Sequence, residues 1–475
     1  MDEENKKSLL FLKSSLTEEN PFISTEEVII WLEERNRAVK VEVDKIKFTE
    51  LKEWSFVDDG YKLSHSSGKF FSIDGIRVQT NYGKIPEWEQ PIINQPEIGY
   101  LGFITKVFNG ILYFLVQAKT EPGNVNHVQL SPTLQATRSN YSRIHKGKPP
   151  LYLDYFRDRS RCNILLDQLQ SEQGARFLQK RNRNIIIQIE EDIEIHEDFV
   201  WLTLGQIKRL IRYDNLINMD TRTVISGIPF GNIISNELDQ IKELKSKSFS
   251  EIGSKFLESA LYKENSVKTI DDIISWITEL KSKNDLLIDK IPLNAINEWD
   301  INDFEIARYD NKYFKVIATE VKISNREVTH WTQPLLQPSS KGLIAFITKK
   351  INGVYHFLVQ AKLECGNLDI LEMAPTVQCL TGDIDVFDHT EVPFLSTVLK
   401  ARESMILVDS FQSEEGGRFY QEQNRNTIIL VGDDFPDEVP ENYCWLTINQ
   451  LHSFLKYNNY LNIQARSLIA SISFM

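Results

Sequence analysis

An internal repeat is the feature of this sequence that most constrains its fold. Across residues 103–119, twelve of seventeen residues recur identically 243 positions further along the chain. The match extends outward through EWEQP and HWTQP, QSEQGARF and QSEEGGRF, and WLTLGQIKRL and WLTINQLHSF. A repeat this long indicates two copies of one domain, which we place at residues 25–230 and 269–475.

Each copy carries the signals of a mixed α/β domain. An amphipathic helix with carboxylates in its first turn comes first, because such charges suit the positive end of a helix. An Asn-Gly pair between apolar runs then predicts a β-hairpin, and a long polar loop, a further strand and a closing helix with a threonine N-cap follow. These elements fall at 25–38, Asn109-Gly110, 184–190 and Thr203 in the first copy, and at 269–283, Asn352-Gly353, 427–432 and Thr447 in the second.

The predicted fold class is therefore α/β in the mixed α+β sense, with each copy forming a mixed sheet flanked by helices. Residues 1–230 form the N-terminal domain, and residues 269–475 form the C-terminal domain. Between them, residues 231–268 are rich in lysine, serine and glutamate and are partly helical in period. We therefore expect an ordered helical connector there rather than a flexible linker.

Composition and charge limit the classes of function. The net charge of −13 and the pI of about 5.3 argue against a nucleic-acid partner. The acidic N-terminus has no apolar signal-peptide core, and no apolar run approaches the length of a membrane span. Four cysteines without a CxxC pair are typical of free thiols in a reducing compartment. We expect a cytoplasmic protein with neither a membrane nor a nucleic-acid partner.

The polar loop after the second hairpin strand is the strongest candidate for a ligand site. Core packing would keep apolar residues in both copies, whereas those kept here are largely polar and follow a strand end, where ligand sites are common. A structural interpretation stays open, since Gly, Asn and Pro form turns and a Lys–Glu pair can be a solvated ion pair. The retained pairs are Gln117/Gln360, Lys119/Lys362, Glu121/Glu364, Gly123/Gly366, Asn124/Asn367, Pro132/Pro375, Thr133/Thr376 and Gln135/Gln378.

The two loops differ in charge. Residues 119–148 carry five cations and one carboxylate, a net charge of +4, whereas residues 362–391 carry a net charge of −6. Phosphate groups would be attracted to the first loop and repelled by the second. An anionic ligand therefore favours a working site in the first copy, unless basic residues elsewhere neutralise the acidic segment.

Several familiar kinds of site are not indicated by the sequence. It contains no GxGxxG after a strand, no Walker A motif, no HExxH and no GxSxG elbow, and its eight histidines are scattered. We therefore predict neither a bound cofactor nor a metal ion.

At the polar loop the sequence resembles the NDP-hexose 2,3-dehydratases of deoxysugar biosynthesis. The resemblance is carried by QAKTEPGN, QLSPTLQATRSNY, His145 and PPLYLDYF in the first copy and by QAKLECGN and LEMAPTVQC in the second, and it covers nearly the whole chain. The second copy departs at Cys365, where the first has proline, and at residues 380–384. The resemblance implies two tandem Nudix-type domains that no longer hydrolyse, and the chain indeed lacks an R-E-x-x-E-E run.

The resemblance also implies a reaction. The substrate is a nucleotide-linked 4-keto-6-deoxyhexose, usually linked to thymidine diphosphate, which loses its C2 hydroxyl and its C3 hydrogen and becomes a 3,4-diketo sugar. Because the C3 proton lies α to the ketone, no redox cofactor is needed. The resemblance further implies a separate 3-ketoreductase that traps the labile product, and a homodimer.

Such an elimination needs a base, an acid, donors to the C4 oxygen and cations for the pyrophosphate. We expect the catalytic residues to be Glu121 as the base, Tyr141 or His145 as the acid, and Lys119, Gln135 or Asn140 at the C4 oxygen. The other substrate-binding candidates are Trp88, which either stacks on the nucleobase or packs in the core, and Gln117, Asn124, Gln129, Thr133, Arg138, Ser139 and Arg143. A second pocket would comprise Trp331, Lys362, Glu364, Asn367, Glu372, Thr376 and Gln378.

Three alternatives stay open at this point. A metal-dependent nucleotide-sugar hydrolase would release a nucleoside monophosphate, and the missing glutamate run speaks against it. A nucleotide-sugar sensor would bind ligand in both copies without changing the sugar. In the third alternative the second copy is the working one, with Glu364, Asp369 or Glu372 as acid and base.

Overall fold

The computed structural model describes residues 3–137, 149–230, 250–326, 328–380 and 392–475. Its helices are α1 (Glu3–Ser15), α2 (Thr25–Ala38), α3 (Leu153–Arg157), α4 (Leu204–Leu210), α5 (Met219–Ser226), α6 (Glu251–Leu261), α7 (Ile270–Lys283), α8 (Leu395–Leu399), α9 (Ile448–Leu455) and α10 (Ile463–Ser471). None of the helices in these segments has the length and apolarity needed to span a lipid bilayer.

Within these described segments, twelve strands come from each half of the chain. Those of the first half are β1 (Val41–Ile46), β2 (Trp54–Val57), β3 (Lys62–His65), β4 (Ser72–Thr80), β5 (Glu87–Asn94), β6 (Gly99–Phe108), β7 (Ile111–Thr120), β8 (Val128–Ser131), β9 (Leu134–Ala136), β10 (Asn163–Ser171), β11 (Arg181–Gln188) and β12 (Phe199–Thr203). Those of the second half are β13 (Leu286–Ile291), β14 (Trp299–Ile301), β15 (Glu305–Arg308), β16 (Phe314–Ile323), β17 (His330–Pro338), β18 (Gly342–Ile351), β19 (Val354–Lys362), β20 (Glu372–Pro375), β21 (Val377–Leu380), β22 (Ile406–Ser413), β23 (Gln423–Val431) and β24 (Tyr443–Thr447).

Each copy contains a seven-stranded mixed sheet, and the two sheets have the same topology. The first runs β10-β11-β6-β7-β12, with β8 beside β7 and β9 beside β6, and the second runs β22-β23-β18-β19-β24, with β20 and β21 in the matching places. The β6–β11 and β18–β23 pairs are parallel, and the other pairs are antiparallel. Helices cover these sheets and bury a large apolar core that both copies share.

Two smaller five-stranded sheets exchange one strand between the copies. Strand β1 of the first copy pairs with β16 of the second, and β13 of the second copy pairs with β4 of the first. Both ladders run the full length of the exchanged strand, from Val41 opposite Ile323 to Ile46 opposite Ala318 in one case. The copies of the sequence are therefore not separate bodies in space, because each completes a sheet of the other.

Two glycines let each copy's polar loop dock on the other copy. The Gly123 N–H donates to the Gly416 carbonyl at 2.7 Å, and the Gly366 N–H donates to the Gly174 carbonyl at 2.6 Å. A methyl group on Gly123 would lie 1.7 Å from the Phe419 carbonyl oxygen, so the backbones approach too closely for any side chain. The interpretation of Gly123 as a structural residue is thus supported, because it lies in the turn closed by the Asn124 N–H and the Glu121 carbonyl and also makes the contact between copies.

Two fully buried arginines join the copies in a reciprocal way. Arg222 on α5 donates to the Ser467 hydroxyl at 2.8 Å and to the Ser413 carbonyl at 2.5 Å, both in the second copy. Arg466 on α10 donates to the Thr223 hydroxyl at 2.9 Å and to the Ser171 carbonyl, both in the first. Burial lowers the pKa of each guanidinium only to about 10, so both stay charged at neutral pH.

The local sequence signals are confirmed. Ser24 and Thr269 cap α2 and α7, and Thr203 and Thr447 cap α4 and α9, each through a capping box. The Asn109-Gly110 and Asn352-Gly353 turns have positive φ at both residues, as their hairpins require. The loop expected after each hairpin instead contains two short strands, β8 and β9 or β20 and β21. Of the expected connector, residues 231–249 lie outside the described residues, and α6 lies in the remainder.

Arg222→Met should destabilise the protein by about 3 kcal/mol, because the carbonyl groups of Ile217 and Ser413 then lose buried donors. Urea unfolding followed by circular dichroism measures this change. Arg183→Met is the matched control, since Arg183 pairs with Asp167 near the surface and its loss should cost less than ~1 kcal/mol. Equal losses in the two variants would contradict a stabilising role for the buried arginine.

Candidate active site

A cavity of about 590 Å³ lies between the two copies. It is open to substrate-sized molecules and is walled by the end of the first copy's large sheet, by parts of both small sheets, and by the second copy's 414–419 segment. Its lining from the first copy includes Lys52, Trp54, His65, Phe70, Phe71, Lys119, Glu121, Pro122, Gln135, Asn182 and Asp220. Its lining from the second copy includes Arg326, His330, Trp331, Thr332, Gln333, Glu415, Gly417 and Arg418.

A linked set of polar side chains forms the first copy's wall. The Gln135 amide donates to Glu121 Oε1 at 2.8 Å, and the Asn218 amide donates to Gln135 Oε1 at 3.3 Å. Lys119 Nζ donates to the Gln135 carbonyl at 3.3 Å. Glu121 is only 5% exposed, so its carboxylate is held in a fixed direction at the edge of the cavity. This wall presents a carboxylate, an amide and an ammonium group side by side.

The second copy supplies the opposite wall. The Trp331 indole N–H donates to Gln333 Oε1 at 2.9 Å, and the Gln333 amide donates to the Gly417 carbonyl at 3.0 Å. Arg418 lies 4.3 Å from the centre of the Phe71 ring and donates to Gln95 Oε1 at 3.3 Å. Its buried Nε has no hydrogen-bond partner. This wall therefore offers a fixed indole face and a guanidinium with a spare donor.

Aromatic residues of the first small sheet close a third side. Trp54 packs edge-on against His65 with 5.4 Å between ring centroids, and His65 lies 4.4 Å from Phe70. Lys52 is tied to the second copy, because its backbone N–H donates to the Thr332 hydroxyl at 2.8 Å. Aromatic faces beside cations suit a ligand that combines a flat ring with anionic groups.

Three carboxyl groups, Glu121, Asp220 and Glu415, face this cavity; we call them the carboxyl cluster. A methyl group on Gly417 would lie 3.0 Å from Glu415 Oε1 and 3.5 Å from Glu121 Oε1, so these two carboxyls converge on one point. Asp220, in the first turn of α5, is 3% exposed. Desolvation and then the negative charges of Glu415 and Glu121 raise the pKa of Asp220 well above its usual range. Among the described residues, no three His, Cys, Asp or Glu side chains are arranged to hold a metal ion.

Glu415 also binds its proton more tightly than an ordinary glutamate. Burial has the largest effect and raises the pKa of Glu415. The positive charge of Arg418 lowers this pKa, whereas the like charges of Glu172 and Glu121 raise it, and the resulting pKa is about 7. Lys180, itself buried with a lowered pKa, only partly offsets these effects. The cluster is thus a set of carboxyls that are not all ionised at neutral pH.

The structure brings three of the expected site residues together: Lys119, Glu121 and Gln135 line one wall. Six others lie outside the described residues, so their assignments stay predictions: Arg138, Ser139, Asn140, Tyr141, Arg143 and His145. The expected difference in charge between the two loops also rests largely on residues that are not described.

The tryptophan that lines the cavity with Glu121 is Trp331 of the second copy, whereas we expected Trp88 of the first copy. Trp88 packs beside Cys365 of the second copy's loop, and its counterpart Trp331 occupies the cavity beside Pro122. The reason is the crossed docking of the loops, which places each loop against the other copy's small sheet. Trp88 is therefore a wrong choice for the cavity that contains Glu121, and Trp331, expected in a second pocket, belongs to the first.

The four remaining first-copy candidates lie away from the cavity lining. Thr133 accepts from the Ile104 N–H at 2.9 Å and donates to the Leu115 carbonyl, and so ties β6 to β7. Gln129 is fully buried and accepts from the Ser413 hydroxyl at 2.9 Å, across the boundary between copies. Asn124 is buried against Gly416, and Gln117 lies within β7 opposite Ser131. These positions fit structural roles, which the duplication alone did not separate from binding roles.

The second-copy candidates repeat part of the first wall. The Gln378 amide donates to Glu364 Oε1 at 2.8 Å, as Gln135 does to Glu121. The Ser171 hydroxyl donates to Glu372 at 2.9 Å, and burial raises the pKa of Glu372 to about 7. Asn367 is buried against Gly174, Thr376 is buried with hydrogen bonds to the backbone, and Lys362 ends β19. Asp369 forms a half-exposed ion pair with Lys281 at 2.6 Å.

Sequence reasoning missed Asp220, Glu415 and Gly417, because it looked for residues that both copies keep. At the matching positions the opposite copy has Gln464, Gln173 and Ala175. The signal was available in the comparison of QSEEGGRF (412–419) with QSEQGARF (170–177). Glu415 and Gly417 of the second copy correspond to Gln173 and Ala175 of the first. Functional residues of a duplicated chain are thus found partly where the copies differ.

The chain is similar to known proteins over nearly its whole length. The sequence profile of the NDP-hexose 2,3-dehydratase family matches residues 25–228 and again residues 270–472. A dTDP-4-dehydro-6-deoxy-alpha-D-glucopyranose 2,3-dehydratase of Saccharopolyspora spinosa is 44% identical over 464 residues, which cover 97% of this chain and 94% of the relative. Proteins of the same name from Streptomyces violaceoruber and Amycolatopsis orientalis are each 39% identical, over 93% and 97% of this chain and 95% and 92% of their own lengths. The chain belongs to the NDP-hexose 2,3-dehydratase family.

Proposed function

We propose that this protein is a lyase that eliminates water across C2 and C3 of a dTDP-linked 4-keto-6-deoxyglucose, giving a 3,4-diketo-2,6-dideoxy sugar. The names of the three relatives supply the substrate, and their near-complete coverage of this chain supports the transfer of that name. The observation that carries the reaction type is the buried Glu121 carboxylate held by Gln135 beside Lys119 at the edge of a substrate-sized cavity.

Glu121 is the proposed base. The C3 hydrogen is acidic because its removal places the electron pair in an enolate that extends to the C4 oxygen. A carboxylate that is fixed by an amide and shielded from water can take that proton without first losing a hydration shell. Lys119 and Gln135, which adjoin Glu121, are positioned to stabilise the negative charge that develops on the C4 oxygen.

The opposite wall suits the nucleotide. Trp331 offers an indole face for the thymine ring, and its hydrogen bond to Gln333 fixes the orientation of that face. Lys52, Arg326 and Arg418 also line the cavity and supply positive charge for the pyrophosphate. In the related site of the duplication, two of these cations are replaced by neutral residues: Asn297 corresponds to Lys52, and Gly83 corresponds to Arg326. An anionic ligand should therefore prefer the cavity that contains Glu121 to the related site.

Further parts of the proposal concern fold and cellular context. We infer that each seven-stranded sheet with its helices is a Nudix-type domain that has lost hydrolysis. We also infer that the protein works in the cytoplasm as a homodimer, together with a 3-ketoreductase that reduces the labile diketone. The four cysteines form no disulfide, which is compatible with a reducing compartment.

Incubation with dTDP-4-keto-6-deoxyglucose should convert the sugar to a product that has lost one water, trapped as the reduced sugar when a 3-ketoreductase and NADPH are added. Glu121→Gln should lower turnover at least about a hundredfold, because the base is gone while the shape of the site is kept. Mass spectrometry of the nucleotide sugars measures both results.

Glu364→Gln is the matched control for this prediction, since Glu364 holds the same place in the second copy and the same amide bond. It should keep most of the activity. Release of a nucleoside monophosphate would point to a hydrolase, and unchanged sugar would point to a binding protein. Loss of turnover in Glu364→Gln alone would move the active site to the second copy.

Trp331→Ala should weaken dTDP binding about tenfold, because base stacking on an indole is worth roughly 1–3 kcal/mol. Isothermal titration calorimetry with dTDP measures the effect, and KM should rise in parallel. Trp88→Ala is the control and should leave KM nearly unchanged, since Trp88 packs beside Cys365. A rise in KM for Trp88→Ala without one for Trp331→Ala would contradict a cavity shared between copies.

A further inference from the structure

The cavity holds more acid groups than a single base requires. An elimination needs one group to take the C3 proton and another to give a proton to the departing C2 oxygen. If Glu121 is the base, the carboxyl cluster still contains the buried Asp220 and the partly buried Glu415, which line the same cavity.

We propose that Asp220 and Glu415 share one proton and that this pair is the general acid that protonates the C2 hydroxyl as it leaves. This inference rests on the proposed function and extends it, because it assigns the acid to one residue from each copy. The active site is then complete only where the two copies meet.

Geometry is the first support. Asp220 starts α5 in the first copy, whereas Glu415 sits in the second copy's segment that receives the Gly123 loop. Glu415 and Glu121 converge on the open space above Gly417, where a methyl group would lie 3.0 Å from one carboxyl and 3.5 Å from the other. Base and acid therefore approach the same small volume from different copies, as an elimination across two adjacent carbons requires.

The duplication is the second and independent support. Lys119, Glu121 and Gln135 recur as Lys362, Glu364 and Gln378, so the base wall is kept in both copies. The acid pair, in contrast, is lost: the positions of Asp220 and Glu415 are occupied by Gln464 and Gln173. An amide cannot donate a carboxyl proton, and Gln173 replaces Glu415 with nearly the same shape. The cavity that contains Glu121 therefore has carboxyl groups that can act as an acid, whereas the related site has amides at those two positions.

Electrostatics give the third support. The like charges of Glu415, Glu121 and Glu172 act on Asp220 and are opposed by Lys119. Those of Glu172 and Glu121 act on Glu415 and are opposed by Arg418 and Lys180. Like charges and burial raise the pKa of both acids, to about 7 in the case of Glu415. At neutral pH the pair therefore keeps a proton that an ordinary carboxyl would have lost.

The step balances without a redox partner. Glu121 takes the C3 proton, and the C3–H electron pair becomes the enolate of the C4 ketone. The enolate then re-forms the C4 carbonyl, the electron pair makes the C2–C3 double bond, and the C2–O bond breaks. The acid pair donates its proton to that oxygen, which leaves as water. The enol at C3 tautomerises by gaining a proton at C2 and losing one from its oxygen, which restores both carboxyls.

The test separates removal of the C3 proton from loss of water. In deuterium oxide, Asp220→Asn and Glu415→Gln should each lower formation of the dehydrated sugar about a hundredfold or more. Both should still place deuterium at C3 of the unreacted substrate, because the enolate forms and is reprotonated by solvent. Glu121→Gln should lose both exchange and elimination. Mass spectrometry and proton NMR of the recovered sugar distinguish these outcomes.

Gln464→Asn is the matched control and should behave as the unsubstituted protein. Elimination at the normal rate in both Asp220→Asn and Glu415→Gln would overturn the acid assignment, and so would loss of C3 exchange together with elimination. Failure of the unsubstituted protein to dehydrate or exchange the substrate would instead overturn the proposed function, and the inference with it.

Stability against pH gives a readout that a structural role would not produce. A raised pKa means that the protonated carboxyl stabilises the fold at low pH, and that this stabilisation is lost as the pH rises through about 7. Glu415→Gln and Asp220→Asn should therefore raise the urea midpoint at pH 8 and change it little at pH 5. A lowered midpoint at pH 8 in both variants would mean that the pair is structural, and would overturn the proposal.

Discussion

The close approach of two backbones at Gly123 and Gly416 is the contact on which the cavity that contains Glu121 depends. The hydrogen bond between them brings the segment that carries Glu121 against the segment that carries Glu415. No residue with a side chain fits at Gly123, because a methyl group would overlap the Phe419 carbonyl. The same contact recurs at Gly366 and Gly174, so the crossed docking follows from the duplication itself. Once the loops cross, the cavity that contains Glu121 has walls from both copies.

The crossed arrangement explains why a chain of this kind needs both halves. The exchanged strands and the two buried arginines join the copies, and neither half completes its five-stranded sheet alone. The two related sites are free to diverge, because a change at one does not alter the other. The first site combines carboxyls in a way that opposes folding at high pH, whereas glutamines at the second relieve that repulsion. The carboxyl cluster destabilises the fold, and it is present at only one of the two related sites. A destabilising cluster of this kind is expected where it has a function.

Sequence reasoning succeeded where the signal is local. Helix caps such as Thr203 and Thr447, and the Asn-Gly turns, depend on residues within a few positions of one another, and the structure has them as expected. The retained Lys119, Glu121 and Gln135 line the cavity, whereas the retained Asn124 and Thr133 do not, so retention alone does not mark a site. The catalytic roles of the first three stay predictions.

What the sequence did not reveal are contacts between the copies. Spacing along the chain pairs Trp88 with Glu121, whereas the exchange of loops pairs Trp331 with it. Asp220 resembles any carboxylate in the first turn of a helix, and only its burial beside Glu415 makes it unusual. Such residues could be recognised by asking where two copies differ after their shared scaffold has been aligned.

A crystal structure of the protein with dTDP bound tests most directly the claim that the working site is shared between the copies. The account predicts the thymine ring against Trp331, the pyrophosphate near Arg418, and its sugar end directed at Glu121 of the first copy. A nucleotide bound beside Trp88, with every contact from a single copy, would contradict it.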